Sequence, residues 1–184
     1  CSVYGERSSE IMTEDSNLVE PISLYGQTKL KSEIAISELC SNYVIFRLGT
    51  LFGSSYRMRF DLALNLFIAK GLAGEAITVF GGDQWRPFIH VEDAADAIAL
   101  ALEKDCRGVY NISWENFQMK NAASIIGKNL NSPVNITKDM IDKRNYRVDC
   151  KKAKKFGFKP KKTIDNAIKE IRHAFKTGEI KNYR

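Results

Sequence analysis

Apolar and polar positions along the chain switch between two periods. Tyr43 to Leu48 (YVIFRL) is a nearly unbroken apolar run, which predicts a buried parallel strand. Phe60 to Leu72 (FDLALNLFIAKGL) carries apolar residues at helical spacing. Ala76 to Phe80 reads as a short strand stopped by Gly81 and Gly82. Pro87 to Val91 leads into an Ala-rich helix over Glu92–Glu103, with Asp93 in the first turn, where the helix dipole favours a negative charge. Val109–Ile112 and Pro133–Ile136 are predicted strands, and Asn121–Leu130 and Thr163–Phe175 predicted helices. Nearer the start, Pro21 opens a helix running to about Ser41, with Leu30, Ile34, Ser37 and Cys40 on one face. The opening residues CSVYG read as the end of a strand. Residues 5–20 are polar and acidic and read as a loop, and Gly49 and Gly53 mark another. Strands alternating with helices predict an α/β fold with a largely parallel sheet. The more irregular later half predicts a small additional lobe.

Composition narrows the classes. With 184 residues and 44% apolar content, a domain of this size buries roughly 70% of its unfolded surface. No apolar stretch approaches the ~20 residues a membrane-spanning helix needs, so no membrane role is expected. Cys1, Cys40, Cys106 and Cys150 form no Cys-x-x-Cys pair, and His90 and His173 are the two histidines. This pattern argues against a metal site and fits a reducing cytoplasm. The net charge of +6 is uneven: residues 138–184 hold 16 Lys and Arg against 6 Asp and Glu. A basic tail fits nucleic acid or an anionic small molecule. Ile164, Ala167, Ile168, Ile171 and Phe175 form an apolar stripe, however, which sets the last helix on a core and leaves its lysines as a solvated face. A nucleic-acid-binding module is therefore the weaker reading.

Tyr25-Gly-Gln-Thr-Lys29 is the central candidate for chemistry. Four residues apart on a helix, the two side chains share a face. A phenol titrating near ~10 needs about 3 units of help, ~4 kcal/mol, to act as a base at neutral pH. A cation ~4 Å away at an effective dielectric of ~20 supplies about that much. The spacing alone is equally that of a core tyrosine beside a solvated lysine.

The surrounding motifs add context. VYG (3–5), PISLYGQTKLKSE (21–33), FRLGTLFG (46–53), GGDQWRPFIHVEDAADAIALAL (81–102), GVYNIS (108–113) and VDCKKAKKFGFKP (148–160) follow in an order that resembles the extended short-chain dehydrogenases/reductases. More narrowly, the chain is similar to the NAD-dependent epimerase/dehydratase family acting on nucleotide sugars. The resemblance implies the later part of a Rossmann-type doubly wound parallel sheet plus a small mixed α/β substrate lobe. Residues 1–50 would be the second part of the Rossmann-type domain with the Tyr-Lys pair. Residues 51–184 would interleave the substrate lobe with the last Rossmann elements, about 86–112 returning to the sheet.

The resemblance also implies roles. Tyr25 would exchange the proton of a sugar hydroxyl while hydride passes to or from the nicotinamide. Lys29 would lower the Tyr25 pKa and bond the nicotinamide ribose. Tyr25, Lys29 and Leu48 would touch the cofactor, NAD or NADP. Thr50, where the family often has Asn, would lie on the substrate side, a nucleotide-diphosphate sugar. Arg86 would hold its diphosphate with a second arginine, Arg144 or Arg147. The Tyr25 pair is expected in a cleft between the two lobes, beside Arg86. Arg57 and Arg59 border this pocket or belong to a solvated loop. His90 and Asp93 are read as a packing residue and a helix-start residue, and Phe156 and Phe158 as core. A homodimer is the family expectation.

Two departures qualify this. The family's Gly-rich dinucleotide loop is absent from the sequence, and its catalytic Ser or Thr would fall one residue ahead of Cys1. The chain is thus expected to be a portion of an enzyme, inactive alone, or else a non-catalytic scaffold. Cys1 and Ser2 also stand where the 4,6-dehydratases have an Asp-Glu pair, and neither replaces a carboxyl proton relay. That favours a 4-epimerase or 4-ketoreductase.

Overall fold

The computed structural model describes residues 1–16, 19–138 and 142–180, in which strands and helices alternate much as the apolar periods require. After a 3-10 turn at Ser2–Tyr4 come β1 (Glu6–Met12), α1 (Leu24–Leu39), β2 (Val44–Leu48), β3 (Thr50–Phe52), α2 (Ala63–Leu72) and β4 (Ile77–Phe80). Then follow β5 (Trp85–His90), α3 (Val91–Glu103), β6 (Gly108–Ile112), β7 (Glu115–Gln118), α4 (Met119–Leu130) and β8 (Val134–Thr137). The chain closes with β9 (Asn145–Val148), α5 (Lys151–Lys155) and α6 (Ile164–Thr177). Pairing is largely parallel: β1 with β9, β2 with β6, β3 with β5 and β4 with β8, while β7 lies antiparallel to β5. This is a Rossmann-like α/β architecture. Among the described residues no helix is long and apolar enough to cross a membrane.

Three apolar interiors organise the molecule. In the largest, α2, α4 and α6 close over β4 through Ile68, Ile77, Ile126 and Ile171. In the second, α3 and Phe158 cover β6 through Ala97 and Ile112. The third is small and joins Val3 and Tyr4 to Met12, Tyr146 and Val148. Helix α6 shows why such an element forms. Thr163 and Asn166 build a reciprocal cap at its start, and Gly178 ends it in the left-handed region at φ 78°. Ile164, Ala167, Ile168 and Ile171 of its expected stripe are buried, joined by Ala174, while Phe175 is half-buried. Phe158 is buried with Phe156 packed partly against the second interior.

Several expectations need correction. Residues 6–12 form a strand rather than a loop. Its polar sequence carries no apolar alternation, and it is created by pairing with distant β9, with a register slip between Arg7 and Ile11. Residues 50–52 between Gly49 and Gly53 are a strand too, and the run into α3 is the full strand β5. Strands β7 and β9 and helix α5 have no apolar run to mark them, unlike the equally short β4. On α1 the inward face is not Leu30, Ile34, Ser37 and Cys40. Gly26 is buried, Leu30 and Glu33 are half-buried, and Ile34, Leu24 and Leu39 are exposed. Helix α3 likewise turns Ile98 and Leu102 to solvent. The edge of β2 away from β6 receives a bond from the backbone nitrogen of Cys1 to the Leu48 carbonyl, at 2.6 Å.

Candidate active site

Ser23 starts α1, its hydroxyl accepting from the Gly26 amide at 3.1 Å. Gly26 has a packing reason as well. A Cβ there would meet the Ser2 carbonyl oxygen and the Pro21 side chain, each at 2.8 Å. The helix thus lies directly on the backbone of the VYG turn, and this contact sets where the neighbouring Tyr25 emerges. Lys29, one turn on, holds its ammonium 5.5 Å from the centre of the Tyr25 ring. The two side chains therefore share a face, with the cation over the ring. Tyr25 is 62% exposed, so it stands on open surface and not in the expected cleft. The physical reason is that no layer among the described residues covers this side of α1.

A buried polar group that the sequence reading passed over holds α1 in place. Arg47 on β2 makes a two-pronged ion pair to Glu33 of α1, with its closest approach 2.7 Å. It also donates to the Tyr4 hydroxyl at 2.8 Å, and that hydroxyl donates to Asn111 Oδ1 at 2.7 Å. Burial alone would lower the Arg47 pKa, but the bonds to Glu33 and Tyr4 more than reverse it. Burial drives the Tyr4 pKa up, partly offset by Arg47. The Asn111 amide nitrogen donates to the carbonyls of Met12 and Asp149 at 3.3 and 3.2 Å. The signal in the sequence was an arginine inside an otherwise apolar strand.

The arginines gather on β5 and β9. Arg86 lies over the ring of Tyr146 at 5.5 Å, and Arg147 lies over Trp85 at 5.1 Å. Each strand gives one guanidinium and one aromatic ring. The Trp85 amide donates to Asn145 Oδ1 at 2.9 Å, which fixes the offset. Asp142 joins Arg86 to Arg144, with Nη2–Oδ2 distances of 2.7 Å to each. Burial would raise the Asp142 pKa, but the Arg144 bond and the Arg86 charge outweigh it and hold it at about 2. Burial raises the Tyr146 pKa; Arg86 and Arg144 oppose this, and Asp142 and Tyr25 add to it.

Other predicted residues are placed as follows. Leu48 and Thr50 flank Gly49 at the end of β2 and the start of β3, both half-buried. Arg59 is exposed and forked on Asp61 at 2.6 Å, and Arg57 is exposed too. Asp93 sits in the first turn of α3, but its carboxylate reaches out to accept the backbone amides of Lys161 and Lys162 at 3.0 and 2.9 Å. His90 is fully buried. Its Nδ1 accepts from the Glu92 amide at 3.2 Å, so Nε2 carries the proton toward Glu170 at 2.9 Å. Lys162 then bridges Glu170 and Glu92 at 3.1 and 2.6 Å. The ligand atoms of His90, Glu92 and Glu170 lie within 4.8 Å of one another, with the Lys162 ammonium supplying the cation there. A cavity of about 370 Å³ between α2 and α6 touches none of the predicted site residues.

The model of the NAD dependent epimerase/dehydratase family matches residues 1–113, and the chain belongs to that family. The protein MJ1055 of Methanocaldococcus jannaschii, itself uncharacterised, is 30% identical over 185 residues, covering 92% of this chain and 55% of its own. A putative UDP-glucose 4-epimerase of the same organism is 27% identical, covering 92% and 58%. Among solved structures, a mutant UDP-glucuronic acid 4-epimerase from Bacillus cereus is 27% identical. That protein, in complex with UDP-4-deoxy-4-fluoro-glucuronic acid and NAD, superposes with a TM-score of 0.78 over 96% of this chain and 59% of its own. The chain spans somewhat more than half the length of these relatives.

Proposed function

We propose that the chain is the substrate-side portion of an NAD(P)-dependent nucleotide-sugar 4-epimerase or 4-ketoreductase, with Tyr25 as its acid/base. The observation that carries this reading is the shared face of Tyr25 and Lys29, with the Lys29 ammonium 5.5 Å from the centre of the Tyr25 ring. Residues 1–50 belong to the cofactor side, and 51–184 interleave the substrate lobe with the closing Rossmann elements. The exposed apolar residues of α1 and α3 and the outer edge of β2 suit further sheet and helix supplied by the remainder of the relatives' length, or a second copy across α1. The chain alone is then inactive, and its four free cysteines suit a reducing cytoplasm.

The residues present fit one end of a dinucleotide. Tyr25 and Lys29 are exposed and offer a hydroxyl and an ammonium to a nicotinamide ribose, and Leu48 is read as a further cofactor-side residue. The glycine-rich turn that holds a pyrophosphate at a helix N-terminus is absent from this sequence. When bound, the nicotinamide supplies the hydride acceptor. Tyr25, as the phenolate that the neighbouring Lys29 ammonium favours, takes the proton of the sugar hydroxyl and becomes the neutral phenol. Arg86, with Arg144 or Arg147, holds the diphosphate and so fixes the sugar against Tyr25, with Thr50 on the sugar side. Cys1 and Ser2, where the 4,6-dehydratases have an Asp-Glu pair, offer no carboxyl relay for water elimination, which favours epimerisation or reduction.

Tyr25→Phe in the full-length protein tests the reading. Turnover of a UDP-sugar should fall by ~10²–10⁴-fold, with UDP affinity unchanged by isothermal calorimetry. Turnover within a factor of a few of the parent would remove Tyr25 from the chemistry.

A further inference from the structure

Two of the three arginines assigned to the diphosphate are already joined, and what joins them is a carboxylate of the protein itself. Arg86 is fixed on three sides. Its backbone is in β5, Tyr146 lies against one face of its guanidinium, and Nη1 donates to the Trp85 carbonyl at 3.1 Å. Its other terminal nitrogen, Nη2, meets Asp142 Oδ2 at 2.7 Å. Arg144 approaches the same carboxylate as a fork, Nε to Oδ1 at 3.0 Å and Nη2 to Oδ2 at 2.7 Å. One anionic oxygen between two guanidinium groups is the arrangement a bridging phosphate oxygen takes.

We propose that Asp142 is an internal stand-in for the substrate's diphosphate, seated between Arg86 and Arg144 in the free protein and displaced when a nucleotide diphosphate binds. The inference rests on the reading of Arg86 as a diphosphate ligand. The parts differ in their freedom. The Arg86 side chain is 8% exposed and belongs to a strand, whereas that of Asp142 is 36% exposed and lies outside any strand or helix. The carboxylate is therefore the group that leaves. In the free protein it also keeps two neighbouring cations from repelling one another, so the pair stays oriented. Because the two arginines hold Asp142 ionised far below neutral pH, it competes at full charge wherever the protein functions.

An internal competitor lowers every anion's apparent affinity by the fraction of molecules in which the site is open. A nucleotide diphosphate reaches both arginines and replaces the carboxylate as their shared anion.

Calorimetric titration of the full-length protein with UDP and UMP tests this. Asp142→Asn should bind UDP ~10-fold tighter, and UMP by a similar factor, because the same closed fraction is removed for both. Arg86→Ala should bind UDP at least ~10-fold more weakly. If Arg86→Ala weakens UDP binding while Asp142→Asn leaves it unchanged or weakens it, the stand-in is overturned and the diphosphate site remains. If Arg86→Ala leaves UDP affinity intact, the diphosphate reading itself falls. A crystal structure of the parent protein with UDP gives an answer independent of the variants. The Asp142 carboxylate is expected beyond ion-pair distance of Arg86, and its retention at the observed separation would overturn the proposal.

Discussion

Helices α1 and α6 are of similar length, 16 and 14 residues, and they are held in opposite ways. Helix α6 buries an apolar stripe of five residues in an interior it shares with α2 and α4. Helix α1 buries only Gly26, and its attachment depends on a close backbone approach at one end and the Glu33–Arg47 ion pair farther along. The contrast teaches that the two regions meet different demands. The region of α2, α4 and α6 buries a shared hydrophobic interior. The α1 side leaves Leu24, Ile34 and Leu39 exposed among the described residues.

The largest expected effect strikes the polar attachment. Arg47→Ala strands the Glu33 carboxylate and removes a donor to Tyr4, so urea denaturation should show a loss of ~3–5 kcal/mol. Amide exchange should rise first along α1, and equal protection of α1 and α6 in this variant would break the comparison. A smaller effect tests the interior shared by α2, α4 and α6. Ile126 is fully buried, and Ile126→Val should cost ~0.5–1.5 kcal/mol by the same measurement. The smallest effect is the sharpest test. Leu39 is 85% exposed, and Leu39→Ser in this chain should change stability by no more than ~0.5 kcal/mol. Removing one methylene from α4 should thus cost more than replacing a whole leucine on α1, and the reverse order would show that α1 buries surface in solution.

The same division governs what was legible in the sequence. Helices α2, α3, α4 and α6 and strands β2, β4, β6 and β8 carry their signal locally, in apolar period and glycine stops, and they lie close to where that signal puts them. Strands β1 and β9 pair over a sequence separation of more than a hundred residues, so neither has a local signature. The face of α1 was misread because apolar residues were taken to point inward, while the side chain that anchors the helix is the charged Glu33. For the candidate site, the family motifs led to Tyr25, Lys29 and Arg86. They gave no hint that Asp142 ties Arg86 to Arg144, since that tie depends on how the segment before β9 returns to β5. Asp93 was readable as a helix-start residue, but its bond to the loop ahead of α6 was not.

The amide of Asn111 carries a consequence for how the protein ages. It gives both hydrogens to carbonyls, of Met12 and Asp149, and takes one from Tyr4, all in a fully buried place. Deamidation would exchange that nitrogen for an oxygen with no hydrogen to offer, setting a negative charge against two carbonyl oxygens at little change in volume. Among single chemical lesions, this near-isosteric one would undo the junction of β1, β6 and the VYG turn from within.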